Sequence, residues 1–121
     1  MARILIIDDD NRVLWTYSRI LEHAGYEVVI ANDGHRGIST FKDKLPDLVI
    51  TDIFMPMRGG LGTIKELKQY CPNVKIIAIS GGGKMEQRNY LESAKQLGAM
   101  RTLTKPIERE DLLKAVQECL S

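Results

Sequence analysis

Carboxylate, hydroxyl and amine side chains recur in this chain at one kind of place, the end of a short apolar run. Residues 3–7 (RILII) end in Asp8, Asp9 and Asp10, and Leu48, Val49 and Ile50 lead to Asp52. The run VKIIAI (74–79) ends in Ser80 and Gly81-Gly82-Gly83, and a shorter run precedes Lys105-Pro106. Gathered on one rim, Asp8, Asp9 and Asp52 would repel one another. At ~4 Å and an effective dielectric near 20, each pair costs on the order of 4 kcal/mol. Lys105 supplies one positive charge, too little for three acids. A divalent cation makes up the deficit, and an all-oxygen ligand set selects a hard one such as Mg²⁺ or Mn²⁺.

The opposite side of such a rim suits an anion. Ser80 offers a hydroxyl, and glycines 81–83 let backbone N–H groups come close to a phosphate. Acids and metal on one side, with Ser, Lys and N–H donors on the other, make a phosphoryl-transfer site. Asp52 is its natural nucleophile, because a carboxylate can attack phosphorus and form an acyl phosphate. Metal, lysine and hydroxyl would then stabilise charge on the equatorial oxygens. Taken alone, Asp52 fits a simple turn cap equally well; its company decides between the two.

The elements that must assemble these residues follow from hydrophobic periodicity. Arg3–Ile7 predicts a first strand. Asp10 or Asn11 caps a helix with Val13, Leu14, Tyr17, Ile20, Leu21 and Ala24 on one stripe, and Gly25 ends it. Glu27–Ala31 predicts a second strand, and Asn32-Asp33-Gly34 a turn. The next helix carries Ile38, Phe41 and Leu45 on one face and stops at Pro46. Leu48–Ile50 is a buried parallel strand leading to Asp52, followed by a loop holding Pro56, Gly59 and Gly60. Leu61–Tyr70 predicts a helix with Leu61, Ile64 and Leu67 inward, broken by Cys71-Pro72-Asn73. Val74–Ile79 is a fourth strand. A helix then runs to about Leu97, burying Tyr90, Leu91, Ala94 and Leu97, before Gly98. Met100–Thr104 is polar at Arg101, Thr102 and Thr104, which suits a sheet edge. The last helix turns Leu112, Leu113, Val116 and Leu120 inward.

Strands alternating with helices imply an α/β fold: a doubly wound five-stranded parallel sheet with right-handed crossovers and five helices on two faces. The flavodoxin-like order 2-1-3-4-5 sets strands 1 and 3 side by side at the switch point, where ligands bind beyond the strands' carboxyl ends. That order brings Asp8, Asp9, Asp52, Ser80 and Lys105 to one rim.

At 121 residues the chain is one domain, spanning 1–121, that buries roughly two-thirds of its unfolded surface. Its net charge of +1, with no basic stripe or interleaved aromatics, argues against nucleic-acid binding. No apolar run approaches a membrane span, and MARILIIDDDN lacks a signal-peptide pattern, so a cytoplasmic location away from the membrane is expected. Cys71 and Cys119 have neither CxxC nor Cys/His spacing; they share helical stripes with Ile64 and Leu67 and with Leu112 and Val116. They read as reduced, partly buried thiols. The GGGK run fails as a nucleotide loop, since Ala78 and Met85 stand where a Walker motif needs Gly and Ser/Thr.

Asp-Asp after strand 1, D-x-x-M-P-x-x-G-G after strand 3 (Asp52, Met55, Pro56, Gly59, Gly60), Ser-Gly after strand 4 and Lys-Pro after strand 5 resemble the receiver domain of two-component response regulators. The resemblance covers essentially the whole chain. It implies that Asp52 accepts a phosphoryl group from a phosphohistidine of a sensor histidine kinase or histidine phosphotransfer protein. It also implies that Asp9 binds Mg²⁺ directly and Asp8 largely through water, with Asp52 and the Phe54 backbone carbonyl completing the protein ligands. Ser80, Lys105 and the backbone N–H groups of Met55 and Gly81 would contact the phosphoryl oxygens. The Lys105–Pro106 bond would be cis.

The chain departs from the family at Thr102, where an aromatic residue usually moves inward on phosphorylation. The segment from Ser80 to Lys105 is longer than in short members, the extra length falling in the 81–87 loop. Phe54 is a bulky apolar neighbour of the site that would shield an acyl phosphate from water. Trp15 points away from its helix's apolar stripe, among Arg12, Thr16 and Arg19, as an incidental surface residue or a partner contact. His23 and His35 read as solvated, Met55 and Met57 as loop packing, and Asp10 as a cap. Three other functions compete. A dehalogenase-type phosphatase needs an acid two residues after its nucleophile, where this chain has Phe54. A flavin protein needs a hydroxyl-rich loop where Asp8, Asp9 and Asp10 would repel phosphate. A receiver-like interaction module that does not switch through an aromatic is favoured only by Thr102. The chain ends just past its last helix, so its output is expected through a protein partner or through an output domain removed from it.

Overall fold

The computed structural model describes residues 1–54, 59–81 and 92–121. Five parallel strands, β1 (Arg3–Ile7), β2 (Glu27–Ala31), β3 (Leu48–Asp52), β4 (Ile76–Ser80) and β5 (Arg101–Thr104), form one sheet in the order β2-β1-β3-β4-β5. This is the flavodoxin-like order that the alternating pattern implies. Helices α1 (Asn11–His23), α2 (Gly34–Lys44), α3 (Gly60–Tyr70) and α5 (Arg109–Leu120) connect and cover it. Residues 92–96 belong to the intervening helix, α4.

The central strands alternate their side chains between two cores, as a sheet covered on both faces requires. Ile4, Ile6, Leu48, Ile50, Ile77 and Ile79 pack with Leu14, Tyr17 and Leu21 of α1 and Leu112, Val116 and Cys119 of α5. Leu5, Ile7, Val49, Ile76 and Ala78 pack on the other face with Ile38 and Phe41 of α2, Ile64 and Leu67 of α3 and Ala94 of α4. Asp10 caps α1, its carboxylate accepting the Arg12 N–H, and Asp33 does the same for α2 through Arg36. Gly25, at φ 96°, carries the left-handed turn after α1.

Several boundaries and faces differ from the sequence expectation. Leu45 was expected inward on α2, but the helix stops one residue earlier and Leu45 takes φ 47°, leaving it 65% exposed. Pro46 is the cause, because it disfavours the right-handed helical region for the residue before it. Ala24, also expected inward, is the exposed C-cap of α1. The fourth strand starts at Ile76, not Val74, and includes Ser80; Val74 is buried without joining the ladder. The third helix starts at Gly60 and the edge strand at Arg101. On α5, Ala115 and Cys119 are buried, while Leu113 and Leu120 lie at the margin of the core. The expected burial of Tyr90 and Leu91, the packing of Met55 and Met57 and most of the 81–87 loop lie outside the described residues.

Candidate functional site

The sheet order places the ends of β1 and β3 beside each other, with Ile7 paired to Thr51. The chain leaves β1 through Asp8 and Asp9, and β3 ends on Asp52. One carboxylate oxygen from each of Asp8, Asp9 and Asp52 lies within 4.8 Å of the others. Asp8 and Asp52 are buried, 1% and 5% exposed, whereas Asp9 faces solvent.

The two buried acids are held alike. Each gives one oxygen to the backbone N–H two residues on: Asp8 Oδ1 accepts from Asp10 at 2.9 Å, and Asp52 Oδ1 from Phe54 at 3.0 Å. Each gives its other oxygen to Lys105, whose ammonium donates to Asp8 Oδ2 at 2.9 Å and Asp52 Oδ2 at 3.3 Å. Charge-assisted bonds of this kind are the strong ones, and here they tie the ends of β1 and β3 to the lysine that follows β5. Burial pushes the Asp52 carboxyl above its ordinary value, and the nearby Asp8 charge adds to that; the Phe54 N–H and the Lys105 charge work against it. Burial alone would lower the Lys105 ammonium, but the bonds and charges of Asp8 and Asp52 outweigh it and leave that group raised.

Ser80 closes the opposite side. Its side chain is 1% exposed, and among the described residues its hydroxyl has no hydrogen-bond partner. Its carbonyl accepts the Lys105 N–H at 2.8 Å, so the hydroxyl residue and the lysine are tied through the β4–β5 ladder. The Lys105–Pro106 peptide bond is cis. Gly81 follows Ser80 at an exposed position, and Met55 lies outside the described residues. Thr102 sits half-buried on β5, paired with Ala78, and brings no ring to that position. Trp15 is 63% exposed on α1, with the Arg19 guanidinium 5.4 Å from its ring centre. His23 and His35 are exposed, and both cysteines are free.

Two contributions to the site were not read from sequence. Gly60 reads from sequence as a loop residue and as part of the family motif, without a contact of its own; a Cβ there would collide with the Asp52 carbonyl and the Ile53 Cα. The first turn of α3 therefore rests directly on the strand end that presents Asp52, which only glycine permits. Tyr17 counted only as core, but it packs with Ile107 just beyond Lys105. Conservative patterning could have flagged the first through its paired glycines; nothing in the sequence marks the second.

The structure thus sets three acids and a shared lysine beyond the carboxyl ends of an open parallel sheet, where such sheets bind ligands. A model of the response regulator receiver domain matches residues 4–117. Over 120 residues the chain is 35% identical to the chemotaxis protein CheY of Bacillus subtilis, covering 98% of each. It is also 35% identical to a two-component response regulator of Arabidopsis thaliana, ARR21, spanning 98% of this chain but 19% of that protein. A CheY-like receiver domain protein from Methanospirillum hungatei superposes with a TM-score of 0.90 at 31% identity, covering 99% of this chain and 94% of the other. The chain belongs to the response regulator receiver domain family, and it is a phosphorylation-controlled signalling switch.

Proposed function

We propose that Asp52 is the phosphoacceptor, taking a phosphoryl group from a phosphohistidine on a sensor histidine kinase or histidine phosphotransfer protein. The observation that carries this reading is the Lys105 ammonium shared between Asp8 and Asp52 inside a trio of acids. One lysine against three carboxylates leaves excess negative charge, and every available donor is oxygen. That donor set fits a hard divalent ion, Mg²⁺ or Mn²⁺, with Asp8, Asp9, Asp52 and the Phe54 carbonyl to hold it. When bound, the ion supplies neutralisation of that excess and of charge on the phosphoryl oxygens.

The chain's own groups do the rest. The Phe54 N–H fixes the Asp52 carboxylate from one side. A carboxylate oxygen attacks phosphorus, the P–N bond to the donor imidazole breaks, and its electron pair stays on the imidazole nitrogen. Lys105 turns from Asp52 to the new phosphoryl oxygens, which also give the orphaned Ser80 hydroxyl an acceptor. The N–H of Gly81 adds to this set, as does that of Met55. Water reverses the modification slowly, so the domain acts as a timed switch and not as a catalyst turning over a separate substrate. A changed surface is then read by a downstream protein or a covalently attached output domain. Among the described residues no helix is long and apolar enough to cross a membrane.

Intact-mass spectrometry tests the proposal. With acetyl phosphate and Mg²⁺ the parent protein gains one phosphoryl group, and Asp52→Asn gains none. A parent protein whose mass does not change would overturn it.

A further inference from the structure

The two outer edges of the sheet are finished differently. β5 carries Arg101, ion-paired to Glu118 at 2.9 Å, and threonines at 102 and 104, a polar edge of the kind that discourages further strands. β2 reads Glu-Val-Val-Ile-Ala, with no proline or lysine. Its pairing with β1 runs without a bulge from Glu27 to Ala31, and its one charge stands at the first position. Such an edge is a ready template for another strand.

The ladder fixes which backbone groups of β2 are spent. The Glu27 N–H donates to the Ala2 carbonyl at 3.0 Å, and the Ala31 carbonyl accepts from the Asp8 N–H at 3.2 Å. Odd-numbered residues therefore turn toward β1, and the N–H and C=O groups of Val28 and Ile30 turn outward. Among the described residues those groups have no protein partner. The Ile30 side chain, on the same sheet face as Val28, is 54% exposed, so α1 does not close over this end of the edge. Beside it lies a cleft of about 330 Å³, with Leu14 and Ile30 as its apolar wall and Arg36 of α2 next to Ala31.

We propose that the β2 edge pairs antiparallel with the β2 edge of a second copy of this chain, about a two-fold axis through Val29. The edge is complementary to itself. With Val29 on the axis, Val28 of each copy stands opposite Ile30 of the other, and both residues already point their backbone groups outward. Such a pair exchanges two N–H···O=C bonds, and the two-fold repeats it. On the α1 side this lays Ile30 against Val28 of the second copy and takes an exposed apolar side chain out of water. On the α2 side Glu27 of one copy comes opposite Ala31 of the other, next to Arg36. Arg36 is 72% exposed and meets Asp33 only at 3.8 Å, while Arg3 takes just Oε2 of Glu27, so both keep capacity for a pair between copies. An acid at one end of β2 and a base at the other match an antiparallel copy better than a foreign strand of arbitrary sequence. Nothing here depends on which residue accepts phosphate, and the antiparallel arrangement puts the two acid rims at opposite ends of the shared sheet.

Sedimentation velocity of the 121-residue chain across a concentration series tests the proposal. The expected result is a reversible monomer–dimer equilibrium with nothing larger, because a two-fold joint uses up its own edge. Ile30→Lys places a guarding charge at an exposed position and should leave the chain monomeric. Its melting temperature, taken where the parent is also monomeric, should match the parent, which separates lost pairing from lost folding. Arg36→Glu should raise the dissociation constant roughly tenfold, the factor for two lost exposed ion pairs. Arg101→Ser, on the other edge, should leave association unchanged. Register is read by Val29→Cys in a Cys71→Ser background, which should form an interchain disulfide on mild oxidation, since residues facing each other on the axis are within disulfide reach. A parent still monomeric at about 1 mM, a dimer that persists in Ile30→Lys, or a Val29→Cys dimer that does not cross-link would each overturn the proposal.

Discussion

β1 and β3 deliver their acids from the middle of the sheet, whereas β5 delivers its lysine from the edge. Ile4 to Ile7 and Leu48 to Ile50 are almost wholly buried and packed from both faces. β5 has four residues, pairs among the described residues with β4 alone, and runs from exposed through half-buried to exposed. The strand ends that carry Asp8 and Asp52 are thus fixed by packing on both faces, while Asp9 faces solvent. The lysine is fixed by a few directed contacts: its N–H on the Ser80 carbonyl, its ammonium on two carboxylates, and the neighbouring Ile107 against Tyr17. The proposed role of Asp52 would use this asymmetry: the nucleophile stays in place, while the cation and hydroxyl regroup when a phosphoryl group arrives.

Truncations and charge changes probe that difference. Ile50→Ala, in the middle of β3, should cost about 3 kcal/mol in denaturant unfolding, since its cavity opens in the closed core between the sheet, α1 and α5. Lys105→Met, which keeps the stem but leaves Asp8 and Asp52 facing each other, should cost about 2 kcal/mol without metal, the scale of a hydrogen bond to a charged group. Added Mg²⁺ should recover more stability in that variant than in the parent, read as the shift in melting temperature. Leu103→Ala on β5 should cost only about 1 kcal/mol, because the strand is half open to solvent. A loss at Leu103 equal to that at Ile50 would erase the contrast between centre and edge.

The smallest effect belongs to the opposite rim, where the Arg3 guanidinium bonds Glu27 and the Lys44 carbonyl. The bond from Arg3 holds the Glu27 carboxyl below its ordinary value. A lowered folded value means that its stabilisation is present above the unfolded value and lost as pH falls through the folded one. Glu27→Gln should therefore unfold slightly earlier than the parent at pH 7, with the gap closing in acid below roughly pH 4. Denaturation at both pH values checks the sign.

The centre of the molecule was legible because its physics is one-dimensional. Apolar runs such as ILII and LVI have only one comfortable home, and an acid at the end of such a run falls on the sheet's carboxyl rim. The sites of misreading share a cause: each depends on a neighbour distant in space or on backbone geometry. Leu45 keeps helical spacing, but Pro46 removes the helix beneath it. Gly60 has its meaning only once α3 is laid against Asp52. Tyr17 looks like any core aromatic until the segment after β5 is folded onto α1.

The central claim is that the trio of acids serves a single acceptor. Borohydride reduces an aspartyl phosphate to homoserine, which peptide mass mapping can locate after treatment with acetyl phosphate and Mg²⁺. Homoserine at position 52 alone is the expected result. Homoserine at Asp8 or Asp9, or at none of the three, would contradict it.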